Sequence, residues 1–328
     1  MTIAHMPAVL CIAAALTASQ ALAAEDIAPA DTTGLADLSP AELLVRASSS
    51  ALQYSALIGP ATRLLVANHE QSIPYLVTRL DTDDVRERIA VEDILFRIGE
   101  PAVGPLVDAL PHEALRTDTT RGARLACGIL GRIADARAVD ALVALHEHDD
   151  WKLRAAVAGA LGGIGDPKAA RALVALLRDH NEIVRKSAAA SLTQIERKSP
   201  ERDLDRSAAG ALLAALDDPY YCVRYGAATA LAEMGEPVTP DLIALAESGT
   251  GQRALLAIRA LGDGRSKEAP RALRGLLESP DWAVRAEAAR ALGKMGTERR
   301  SLRKLLDGEE HPLVRASVEA ALALEAED

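Results

Sequence analysis

One leucine recurs along this chain at a nearly fixed interval. Taken at equivalent places it is Leu95, Leu130, Leu161, Leu192, Leu231, Leu261, Leu292 and Leu322, with spacings of 35, 31, 31, 39, 30, 31 and 30 residues. A period near 31 sustained over most of a chain is the mark of a stacked array, in which each unit buries its apolar face on its neighbours. Seven residues before the marker, five units carry arginine: Arg154, Arg185, Arg224, Arg285 and Arg315. Each follows Leu or Val. Three units depart from this, with Arg88 in phase in the first, Ala123 in the second, and Arg253 one place early in the sixth.

The unit itself is readable at SPDWAVRAEAARALGKMG, residues 279–296. Helical spacing puts Val284, Ala288, Ala291, Leu292 and Met295 on one stripe. Arg285, Glu287, Arg290 and Lys294 fall outside it. Ser279 is the expected N-cap, Pro280 the expected first helical residue, and Gly296 the expected left-handed stop. A second, leucine-rich helix precedes each such helix, with Leu80, Leu177, Leu216 and Leu277 fifteen residues before the marker. Each unit is therefore expected to be a leucine-rich A helix, an aspartate-containing turn and a B helix opening on Val-Arg.

The B-helix pattern Asp-x-x-Val-Arg-x-x-Ala-Ala-x-Ala-Leu-Gly-x-Ile-Gly-Asp resembles HEAT repeats, and within them the short bilin-lyase-like (PBS lyase) subgroup. Trp151–Asp166 and Trp282–Gly296 carry it most fully, and the resemblance extends over about residues 60–328. It implies an all-α fold, a right-handed α-solenoid (superhelix) of stacked HEAT-like helical hairpins. The family is used mostly as a protein-binding scaffold, so the implied partner is another protein, of unspecified identity.

Composition fits such an array. At 328 residues with 2% aromatics, the chain lacks the large side chains of a single big globular core. Ala and Leu must pack it, which brings helices within about 8–10 Å. No period-2 alternation is present, so no sheet is expected. The net charge of −10 disfavours general nucleic-acid binding. Between Arg265 and Lys304 the balance reverses, 11 basic against 5 acidic residues, densest at Arg299, Arg300, Arg303 and Lys304. A solvated A helix accounts for that cluster.

Residues 1–23 read as a secretory signal peptide: an apolar run at 8–18, too short to span a bilayer, then Ala21-Leu22-Ala23 and an acidic start at Glu25-Asp26. The n-region carries His5 and no Lys or Arg. The expected localisation is export to the periplasm. Residues 24–38 form a polar linker. Ser39-Pro40-Ala41-Glu42 is a capping box opening a helix expected to reach Leu57, with a break at Gly59-Pro60 and a short helix to Asn68. Residues 39–70 are read as N-terminal capping helices and 71–328 as the repeat array of about eight units. Polar insertions fall at 111–120, within one unit, and at 197–207, between two.

The repeat arginines, Arg154, Arg185, Arg224, Arg285 and Arg315, are read as structural rungs, pairing with aspartates that recur before B helices (Asp149/Asp150, Asp217/Asp218, Asp281) and with helix-end carbonyls. One HEAT-fold enzyme family, the deoxyhypusine hydroxylases, binds iron through His-Glu pairs directly after the Val-Arg. Here those places hold Ala155-Ala156, Lys186-Ser187, Tyr225-Gly226, Ala286-Glu287 and Ala316-Ser317. His69-Glu70, His112-Glu113 and His146-Glu147 lie elsewhere, and His146 with His148 makes only a lone His-x-His, so no metal and no cofactor are expected. Cys127 and Cys222 sit three units apart, too far for a disulfide. The remaining candidates are aromatic. Trp151, Tyr221 and Trp282 share one phase, three before the repeat Arg, and Tyr220 and Tyr225 flank Tyr221. These five are the candidate partner-binding residues, since Trp and Tyr serve as interface anchors. No catalytic residues are assigned. The rival readings are a bilin lyase or isomerase, suggested by the subgroup alone, and a nucleic-acid-binding HEAT protein of the DNA-repair glycosylase type, which needs a basic concave face.

Overall fold

A computed structural model describes residues 32, 34–111, 120–198, 206–248, 251–264 and 266–323. The signal peptide expected at 1–23, most of the 24–38 linker, His112-Glu113 and the centres of both polar insertions lie outside these residues. Everything described is helix, turn or loop; among the described residues there is no strand. The contacts divide the chain at Ile98/Gly99 into two compact units.

Among the described residues the first unit holds four α-helices: α1 (Pro40–Ser48), α2 (Ile58–Ala67), α3 (His69–Thr78) and α4 (Val85–Ile98). The capping box forms as the sequence specifies. Ser39 N donates to Glu42 Oε2 at 2.9 Å, and Glu42 N donates to Ser39 Oγ at 3.4 Å. The helix it opens stops at Ser48, short of Leu57, because Ser49 turns extended (ψ 141°). A 3-10 segment, Leu52–Leu57, follows. Gly59-Pro60 does not break a helix but lies in the first turn of α2, where the missing proline N–H is an orphan donor in any case. Leu43, Leu44, Leu65, Leu76, Ile94 and Leu95 are buried together.

The second unit is a run of hairpins. Its A helices are α5 (Val103–Asp108), α7 (Val139–Ala144), α9 (Ala170–Leu176), α11 (Arg206–Ala215), α13 (Thr239–Ser248), α15 (Ala269–Leu276) and α17 (Arg299–Gly308). Its B helices are α6 (Arg121–Ile133), α8 (Trp151–Ile164), α10 (Glu182–Lys198), α12 (Tyr221–Met234), α14 (Gln252–Asp263), α16 (Trp282–Lys294) and α18 (Pro312–Ala323). Successive B helices pack on one another from α6 through to α18. The marker leucines from Leu130 to Leu292 are buried at their contacts.

The B helices begin later than the sequence suggested. In α16 the N-cap is Asp281, not Ser279: its carboxylate accepts from Ala283 N at 2.8 Å, and the helix starts at Trp282. Ser279 instead presents its carbonyl to the Arg285 guanidinium at 2.8 Å. Asp150 caps α8 in the same way, accepting from Lys152 N at 2.9 Å. An Asp one residue before the helix reaches the second amide, which a Ser three residues before it cannot.

Close approach between B helices comes from glycine as well as alanine. The residue after the marker is Gly131, Gly162, Gly262 or Gly293 in four units. A Cβ built on Gly162 would lie 2.7 Å from Ser191 Cα, and one on Gly293 2.6 Å from Ala321 Cα. No side chain fits there, so the backbones touch and Ser191 Oγ donates to Ala158 O at 2.7 Å across the same seam.

Candidate partner-binding surface

The repeat arginines bind turns and acids. Arg154 presents its Nε and Nη2 to Asp179 (2.6 and 2.9 Å) and its Nη1 to the carbonyls of His148 and Asp149 (2.7 and 2.9 Å). Arg185 repeats this with Asp218 (2.6 and 3.1 Å) and the carbonyls of Asp179 and His180. Arg285 does so with Glu309 (2.8 and 3.0 Å) and the carbonyls of Ser279 and Pro280. Each rung therefore ties a turn of its own hairpin to the acid of the next. Of the acids named from sequence, Asp218 takes this role. Asp150 and Asp281 cap helices, and the rungs use Asp179 and Glu309. Arg315 binds the Leu306 and Glu309 carbonyls, both at 2.9 Å.

The paired acids are buried, with side chains 6–8% exposed. Burial alone would raise the pKa of Asp179 and of Asp218. The arginine forks, helped by the Asn181 and Tyr220 amides, outweigh it and hold both below the usual carboxylate range. Glu309 is lowered to about 2, chiefly by its hydrogen bonds from Arg285.

Arg224 differs. Its Nη1 binds the carbonyls of Asp218 and Pro219 (2.7 and 2.9 Å), but its buried Nε has no partner.

The five aromatic candidates separate into three places. Trp151, Tyr221 and Trp282 are each the first residue of a B helix, α8, α12 and α16. Among the described residues no two of these three rings contact each other. Trp151 is half-buried, with the Lys152 ammonium 5.8 Å from its ring. Tyr220, Tyr221 and Tyr225 are exposed and form a patch with three arginines. Tyr221 and Tyr225 lie 5.9 Å apart, Arg185 covers Tyr220, Arg224 lies by Tyr221, and Arg259 stands 4.5 Å over Tyr225 and donates to its hydroxyl at 3.2 Å. Such stacking orients both ring and cation.

Trp282 belongs to a hollow. Its ring stacks on His311 at 4.4 Å and forms one end of an open, mostly apolar groove of about 410 Å³ between α16 and α18. Ala286, Arg290, Leu313, Ala316 and Ala320 line the rest. The groove exists because the residue after the repeat Arg is Ala286 and Ala316 here, where α12 has Tyr225. Trp282 and Leu313 remain 43% and 56% exposed beside it. Sequence reading missed Leu313, His311 and Arg259. The available signal was size at a fixed repeat position, not any motif.

His146 Nδ1 donates to Val143 O at 2.8 Å, and His148 Nδ1 accepts from Asp150 N at 3.0 Å. These are helix-end bonds. Cys127 and Cys222 are both free thiols; burial pushes Cys127 up to about 12. Among the described residues no helix is long and apolar enough to cross a membrane.

Stacked two-helix units with arginine rungs and exposed B-helix starts define an α-solenoid. The sequence model of HEAT repeats matches residues 112–193 and 239–323, and that of the PBS lyase HEAT-like repeat matches 223–248. The chain belongs to the HEAT-repeat family. No curated protein matches its sequence. Among solved structures it is similar to importin beta, with TM-score 0.53 at 15% identity over 87% of this chain and 47% of that one. It is also similar to an engineered protein (TM-score 0.45, 23% identity, 87% and 83% covered). A third is the complex of CpcE and CpcF of phycocyanin lyase from Nostoc sp. PCC7120 (TM-score 0.39, 20% identity, 77% and 94% covered).

Proposed function

We propose that this protein is an exported, non-catalytic scaffold that binds another protein along the B-helix starts of α12 to α18. The observation that carries this reading is the groove beside Trp282. It is apolar, open, rimmed by an exposed Trp and an exposed Leu, and framed by two packed helices, α16 and α18. Exposed apolar surface set in a hollow with an aromatic edge is how interface anchors are built. Three of the repeat arginines, Arg154, Arg185 and Arg285, support it indirectly, because their forks are occupied by neighbouring acids and serve the stack.

Two measurements test it. Tyr221→Ala combined with Trp282→Ala is expected to weaken a complex recovered from the cell envelope at least tenfold, since hot-spot aromatics contribute about 2 kcal/mol or more each, with an unchanged melting temperature. Equal recovery by the double variant would remove the aromatic surface from consideration. For export, residues 1–40 fused to a reporter active only outside the cytoplasm should give signal, and a silent fusion would refute it.

A further inference from the structure

The ladder obeys an internal rule. The acid of a rung stands thirteen residues before the next marker leucine, at His148, Asp179, Asp218, Ser248, Ser279 and Glu309 in successive hairpins. Where the preceding hairpin has its Arg in phase (Arg154, Arg185, Arg285), that position is acidic. Where it has Ala123 or Ala254 instead, the position is His148 or Ser279. Among the arginines of the second unit, Arg and acid come together or not at all, with one exception. Arg224 keeps the arginine and faces Ser248.

The geometry shows the consequence. Ser248 turns its hydroxyl back to Ala244 O at 2.6 Å. Arg224 Nε is buried without a partner, although its Nη1 holds the Asp218–Pro219 turn as every other rung does. Arg253, one place early in the next hairpin, binds the neighbouring Asp217 at 2.8 Å, and its Nε is likewise buried without a partner. Two guanidiniums, each with an unused donor, thus bind the adjacent residues Asp217 and Asp218 beside the exposed rings of Tyr221 and Tyr225. An unsatisfied charged donor is costly to keep buried, and the complementary group is known from the three intact rungs: a carboxylate taken by Nε and Nη2 together.

We propose that Arg224, assisted by Arg253, receives a carboxylate from a glutamate or aspartate of the protein partner, which completes the missing rung in trans while Tyr221 and Tyr225 pack its flanking residues. This rests on the scaffold reading above and names the partner chemistry at one point of that surface. The carboxylate enters along Nη2 of Arg224, the fork atom that bonds nothing and is not buried.

The test uses the full chain and two capped nonapeptide libraries, random except for a central Glu or a central Gln. The Glu library is expected to bind about tenfold more tightly or better, as for a fork-bound carboxylate. Arg224→Gln should erase that preference. Ser248→Glu should also erase it by supplying the acid in cis, and should raise the melting temperature, which separates a filled fork from a damaged fold. Ser248→Asp serves as the shorter alternative. Equal binding of both libraries, or a Glu preference that survives both Arg224→Gln and Ser248→Glu, overturns the proposal. If an envelope partner is then still lost on Tyr221→Ala with Trp282→Ala, the scaffold reading stands without it.

Discussion

Arg185 and Arg224 occupy the same place in consecutive hairpins, and one is finished where the other is not. Arg185 is buried, its fork filled by Asp218 and its remaining amine by two carbonyls. Arg224 holds its carbonyls just as well and offers its fork to a serine position. The difference teaches that two functions of the repeat arginine are separable. Gripping its own turn shapes the hairpin, and gripping the next acid joins hairpins. The same contrast recurs in packing. Tyr225 fills the position after the Arg in α12, and Ala286 leaves it hollow in α16.

The largest effect should come from the seam that both kinds of rung rely on. Gly162→Val is expected to cost about 3 kcal/mol or more, because its Cβ would meet Ser191 backbone at 2.7 Å with nothing flexible to yield. Gly128→Ala, in α6 with no atom within 4 Å, should be neutral or stabilising. Chemical denaturation of both variants checks this; equal midpoints would show that the glycine seam does not set the stack.

Next in size is the rung itself. Arg185→Ala strands a buried Asp218 carboxylate and should cost about 2–3 kcal/mol. Arg224→Ala releases the Asp218 and Pro219 carbonyls but leaves no buried acid unpaired, and should cost less, about 1 kcal/mol. Similar losses for both would mean that the inter-hairpin acid contributes little and would dissolve the distinction between them. The intact rungs also predict a pH dependence. Glu309 has a folded pKa of about 2 against an ordinary 4.5, so the stability from its pairing is fully present above pH 4.5 and fades as pH falls toward 2. Asp179 and Asp218, also lowered, act in the same direction. Glu309→Gln should flatten the part of the acid limb that Glu309 supplies. An unchanged limb would place the acid sensitivity elsewhere.

Much of this was legible in the leucine period, because a stacked repeat forces the same residue types into the same contacts. The A and B helices, the all-helical fold, the capping box at Ser39 and the separation of Cys127 from Cys222 follow from local pattern. Helix starts did not, since Ser279 and Asp281 both satisfy a capping rule and only the turn geometry chooses. The partner of each rung was hidden for a similar reason. Asp150 and Asp179 both precede a B helix, and their roles differ by two places of register. The groove was invisible because it is made by what is small, Ala286 and Ala316, between residues too far apart in sequence to be read together. The aromatic candidates share a phase, yet they stand on alternate hairpins, α8, α12 and α16, and form separate patches.

The smallest effect concerns another broken rule. Four residues after the marker, Gly99, Gly165, Gly235 and Gly296 all adopt positive φ, between 65° and 79°, to end their B helices. After Leu130 the same place holds Ala134, at φ 61°. An L-residue with a Cβ is held there against a left-handed penalty of about 1 kcal/mol, which the hydrogen bond from its N–H to Leu130 O at 3.0 Å offsets. Ala134→Gly relieves that strain but frees the unfolded chain by about 0.5–1 kcal/mol, so the net gain should be at most about 0.5 kcal/mol. A small rise in melting temperature is the expected reading. A fall would mean that the methyl group packs usefully in the turn. Ala134 would then be an exception that the stack had accommodated, unlike Arg224, whose missing partner lies outside the chain.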